Sequence, residues 1–138
     1  MKTLIAILFL MLSPLTHADI FVIVNASNPT QNMDIQEVAA LYLGKKQTFP
    51  QGGFARVFDC KNNDEVRESF FLKIAGMNLP RINAYWARLS FAGQETPPQF
   101  LPSEQAVLEN VRKNRNAIGY VSALPKTPDV RVVLHLKD

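Results

Sequence analysis

The stretch that decides the fold runs from Ile35 to Phe71. It opens Ile35-Gln36-Glu37-Val38-Ala39-Ala40-Leu41-Tyr42-Leu43-Gly44-Lys45 and turns at Phe49-Pro50-Gln51-Gly52-Gly53. It continues through Phe54-Ala55-Arg56-Val57-Phe58 to Asn62-Asn63-Asp64-Glu65-Val66-Arg67-Glu68-Ser69-Phe70. In the first piece Ile35, Val38, Ala39 and Tyr42 fall on one face at helical spacing. Asp34 and Glu37 stand three apart at its start, as in a capping box. Gly44 is its stop, since glycine takes the left-handed backbone conformation at little cost. The middle piece, residues 54–58, reads as a strand. Asn62 and Glu65 repeat the cap pattern, and Val66, Phe70 and Ile74 make the buried stripe of a second helix that ends at Gly76.

Working outward, Ile20-Phe21-Val22-Ile23-Val24 is a continuous apolar run, expected as a strand buried on both faces. Residues 25–32 are polar and contain Pro29, so they read as a loop. Asn78 caps a third helix with Pro80 in its first turn, where a missing amide proton costs little. Ile82, Tyr85, Trp86 and Leu89 form its apolar face, and the aromatic pair reads as core. Residues 93–102, with Pro97-Pro98, read as a loop. Ser103 caps a fourth helix carrying Val107, Leu108 and Val111. Two strands follow, at Ala117–Val121 and Val130–Leu136. Strands alternating with helices imply an α/β layered fold with a mostly buried sheet.

The N-terminus has a different character. Lys2 precedes an apolar run from Leu4 to Leu12, which is too short to span a bilayer, and Thr16 and Ala18 are small residues at the −3 and −1 positions of a cleavage site. Residues 1–18 are therefore expected to be a secretory signal peptide, and residues 19–138 a single domain. That domain holds about 120 residues, enough for a real core. Its net charge of about +2 is too small to imply nucleic acid, and no stable membrane insertion is expected once the signal is removed. Cys60 is the only cysteine, so no intramolecular disulfide is possible, and after an apolar strand it reads as a buried small hydrophobe.

Five segments in order carry a resemblance. They are the strand exit Val24-Asn25-x-Ser27-Asn28-Pro29, the helix end Leu41-Tyr42-Leu43-Gly44-Lys45, the helix Arg67-Glu68-Ser69-Phe70, the helix Ala84-Tyr85-Trp86 and the strand Ala117-Ile118-Gly119-Tyr120-Val121. Together they make the chain similar to the phosphate-type periplasmic solute-binding proteins over almost all of residues 19–138. The resemblance implies one lobe of a type II periplasmic-binding-protein-like fold, a mixed sheet flanked by helices, in the periplasm. Family members are about twice as long and close two lobes on the anion. Only one lobe is expected here.

At the second helix start the family's Ser-Gly-Thr run is replaced by Asp64-Glu65-Val66. A helix N-terminus offers unpaired amides and partial positive charge to an anion. Asp64 and Glu65 are its own attached anions and repel phosphate, while Lys61 and Arg67 offset them locally. Two readings follow: a self-capped structural end, or an altered polar-ligand site using Lys61, Asn62, Asn63 and Arg67, with Ser27 and Asn28 added from the strand exit. The corresponding functions are a non-enzymatic interaction or accessory module with a degenerate anion site, docking to an envelope protein or to a second copy, and a phosphate or other oxyanion component of an ABC importer or sensor.

No motif supports an enzyme, a metal or a cofactor. His135 is the only histidine after the leader, so neither a hydrolase triad nor a histidine zinc site can be built around it. Gly52-Gly53 reads as a turn and not a phosphate cradle. Arg112-Lys113-x-Arg115 ends the fourth helix, where cations complement the dipole; a contact patch for an acidic partner or an anion is the sharper alternative.

Overall fold

A computed structural model describes residues 19–61 and 63–138. The expected signal peptide lies outside the described residues. Five strands and four helices follow one another as β1 (Ile20–Asn25), α1 (Ile35–Tyr42), β2 (Arg56–Cys60), α2 (Asp64–Ala75), α3 (Leu79–Phe91), β3 (Gln99–Leu101), α4 (Glu104–Lys113), β4 (Ala117–Val121) and β5 (Val130–Leu136).

The strands form one mixed sheet in the order β3-β2-β4-β1-β5. β2 runs parallel to β3 and β4, whereas β1 is antiparallel to both β4 and β5. β1 is buried on both faces as its apolar run requires: Val22 and Val24 join the core under α1, α2 and α3, and Ile23 joins the core under α4. Helices thus cover both faces, three on one side and one on the other.

The local signals act where they stand. Asp34 accepts from the Glu37 amide at 2.7 Å and Glu37 returns the bond to the Asp34 amide at 3.2 Å. Gly44 and Gly76 take φ of +71° and +65° at the two helix exits. Asn78 accepts from the Arg81 amide and Ser103 from the Ala106 amide.

Four expectations change. The second strand is Arg56–Cys60, two residues later than residues 54–58, because Phe54 pairs back across the glycine turn to Thr48 and points its ring outward. Ile35 is exposed, and the face of α1 that packs inward is Val38, Leu41 and Tyr42. The α2 cap is Asn63, whose Oδ1 accepts from the Glu65 and Val66 amides; Asn62, expected there, lies outside the described residues. Residues 99–101, expected as loop, are an edge strand, where a preceding proline pair is tolerated.

Gly119 marks where α4 presses on β4. A Cβ there would run into the Val107 side chain, with Val111 next nearest at 3.4 Å. Gly119→Ala is expected to cost about 1–3 kcal/mol by overpacking, and Val107→Ala in the same chain should recover part of that loss. Urea midpoints of the two single variants and the double variant test this; strict additivity would show that the helix has room to move.

Candidate functional site

In an open α/β sheet, ligands bind outside the carboxyl ends of the parallel strands. Here that end is formed by the exits of β2, β3 and β4. Lys61 and Asn63 stand there, both exposed, with Asp64 and Glu65 exposed in the first turn of α2. Glu104 opens α4 at the same end and holds the Ser122 amide and hydroxyl with its two carboxylate oxygens. Its anion already sits at that helix start. At α2, two amides that could meet an oxyanion are taken by Asn63.

Arg67 does not reach toward this surface. Its fourfold spacing from Phe71 and threefold spacing from Phe70 place it on the buried stripe, and it is only 6% exposed. Nε donates to Asp59 Oδ2 at 3.0 Å and Nη1 donates to Asn83 Oδ1 at 3.1 Å. Its guanidinium also lies over the rings of Phe71 and Phe100 at 5.3 and 5.1 Å. Asp59, on β2 and 1% exposed, accepts in addition from the Tyr120 hydroxyl and from the Cys60 amide at 2.8 Å. The carboxylate is saturated by a cation, a phenol and an amide, so its burial is compensated.

Around this pair lies a buried aromatic group. Tyr120 stacks on Phe70 with centroids 3.9 Å apart, and Tyr42 meets Phe70 edge-on at 4.7 Å. The Tyr42 hydroxyl donates to the Phe58 carbonyl at 2.7 Å. Burial, reinforced by the Asp59 charge, pushes the hydroxyls of both Tyr42 and Tyr120 well above the usual tyrosine range.

Ser27 and Asn28 are at the other end of the sheet. β1 runs against β2 and β4, so its exit falls beside their beginnings. Asn28 is buried and structural: Nδ2 donates to the Arg115 carbonyl at 3.2 Å and Oδ1 accepts from the Thr30 amide. Ser27 is exposed in an open cleft with Arg112, Lys113 and Arg115. Arg112 there is already paired with Glu109 and Asp129. The structure therefore brings Lys61, Asn63 and Arg67 to one region and leaves Ser27 and Asn28 apart from them.

Asp59, Asn83 and Tyr120 were not among the sequence candidates. A carboxylate inside the apolar run Val57-Phe58-Asp59-Cys60 was the available signal, since such a group needs a cation. Among the described residues, no three His, Cys, Asp or Glu side chains gather as a metal site requires, and no helix is long and apolar enough to cross a membrane.

No family model matches the chain, and no curated protein matches its sequence. Solved structures do match in fold. One, described as a phosphate ABC transporter substrate-binding protein from Clostridium perfringens and solved with bound phosphate, is 20% identical, with a TM-score of 0.66 over 84% of this chain and 45% of its own. An ABC-type phosphate transport receptor from Vibrio cholerae is 17% identical, with a TM-score of 0.64 over 84% and 46%. A third, from Planctomyces limnophilus and described as a phosphate-binding protein, is 13% identical, with a TM-score of 0.54 over 75% and 36%. The chain has the α/β fold of one lobe of such proteins and spans less than half their length.

Asp59→Ala or Arg67→Ala alone should cost about 3–5 kcal/mol by stranding a buried charge, whereas Asp59→Leu with Arg67→Met should cost much less than the two together; chemical denaturation of the variants decides. The tyrosines set an alkaline limit. Their folded-state values lie above the unfolded value of about 10, so their stabilising contribution is full below that pH and fades above it. An alkaline melt series should show stability falling from roughly pH 10 upward, and Tyr42→Phe should flatten that fall; an unchanged slope in the variant would refute the assignment.

Proposed function

We propose that the protein is a non-enzymatic periplasmic binding module that acts by docking to another envelope protein or to a second copy of itself, with its anion site degenerate. The observation that carries this reading is the Asp59–Arg67 pair. The cation nearest the α2 start that could reach inward to an oxyanion is already neutralised by a buried carboxylate and closed by Asn83. What remains at that surface favours cations: Asp64 and Glu65 are exposed, and Asn63 holds two helix-start amides. Lys61 alone offers a positive charge there among the described residues, and its ammonium lies 5.0 Å over the Phe100 ring. A second support is the fold: the described residues form one lobe, spanning less than half the length of the structural neighbours, and the side at the strand ends is open for a partner to cover.

The test is a calorimetric and thermal titration with phosphate at low salt, with sulfate as control. No heat and no shift in melting temperature are expected. A ligand held at 100 times its dissociation constant would add about 2.7 kcal/mol, which a melt detects easily. Saturable phosphate binding would overturn this reading in favour of an oxyanion-binding component of an importer or sensor.

A further inference from the structure

The exposed face of α3 has a ring and a hole side by side. Phe91, the last residue of α3, is 96% exposed. On the same helix Asn83, Trp86 and Ala87 line a cavity of about 230 Å³, completed by Arg67, Pro98 and Phe100. Phe91 follows Asn83 and Ala87 at four-residue intervals, so the three form one ridge. A cavity of roughly 150 Å³ is enough for a benzene ring, and this one is walled mainly by apolar side chains. The guanidinium at its floor, already neutralised by Asp59, already lies over the two rings of its own chain. It needs no anion, and it favours a third ring by the same cation–π attraction.

We propose that this face is the contact between two copies of the protein, in which Phe91 of each copy seats in the α3 cavity of the other. The inference rests on the docking reading above and names the partner. A two-fold contact requires that knob and hole lie on the same patch, because each copy presents the same surface. They do. If two α3 helices cross antiparallel with Ala87 at the axis, position 91 of one copy lies opposite position 83 of the other. That brings the ring to the end of the cavity where Arg67 holds Asn83. Ala87 is small enough for the helices to approach at the crossing. Each reciprocal ring removes roughly 150–250 Å² of apolar surface from water, a core around which the rims of both cavities close.

Sedimentation velocity on the full chain across a concentration series tests the contact. A reversible dimer is expected. Phe91→Asp and Ala87→Glu should each raise its dissociation constant at least about tenfold. Both positions are exposed, so the variants should keep the far-ultraviolet circular dichroism of the parent, and that spectrum is the check on folding. A wild-type protein that stays monomeric up to roughly millimolar concentration would overturn the inference, as would a dimer whose constant neither folded variant changes. Neither result touches the phosphate titration. Docking to another envelope protein thus stands or falls separately.

Discussion

A carboxylate and a guanidinium, both withdrawn from water, face each other where β2 meets the first turn of α2, and much of the surrounding structure is arranged around them. Asp59 needs a cation because it is buried between Phe58 and Cys60 in the inner part of its strand. Arg67 supplies it, and the helix must dock at one rotation for Nε to reach the carboxylate. Tyr120 closes the second oxygen from β4 and Asn83 closes the arginine from α3. Four elements are thereby fixed in register by one polar cluster. Hydrophobic burial drives their association, but it is non-directional. The pair supplies direction, since a slip of either element would leave a buried charge unmatched.

The same cluster stands beside the helix start on which the proposed docking reading rests. The start of α2 has two of its amides taken by Asn63, with Asp64 and Glu65 exposed in its first turn. The arginine that closes this turn looks inward. An incoming phosphate would have to displace Asp59 from Arg67 and face two exposed carboxylates. Each element of the arrangement is ordinary for a structural helix start. Their coincidence is what the proposed reading rests on.

Much of the fold was legible because its signals are local. The Asp34–Glu37 box, the glycines at 44 and 76, and the caps Asn78 and Ser103 act within one helical turn, so a linear reading finds them. The misreadings arose where tertiary contacts decide. Phe54 and Ala55 look like strand residues, yet the turn at Gly52-Gly53 spends Phe54 on a bridge to Thr48. Residues 99–101 are too few to announce a strand and become one only beside β2. Of the candidate residues, the sequence made the nearness of Lys61, Asn63 and Arg67 legible, but not the direction in which Arg67 points. Lys61, Asn63 and Arg67 do cluster, but which way Arg67 faces depends on Asp59, eight residues earlier, and on Asn83, sixteen later. Ser27 and Asn28 looked like neighbours of that cluster because nothing in the sequence says that β1 runs backwards.

The reversed run of β1 has a consequence for the order of assembly. Its two neighbours in the sheet, β4 and β5, are the last strands of the chain, nearly a hundred or more residues away. The pairing is dominated by distant contacts, which form slowly. As the chain is made, the first strand has no edge to join until residues 117–136 exist. The sheet therefore closes only once its last two strands are present, and its first strand is held by the final part of the chain to be made.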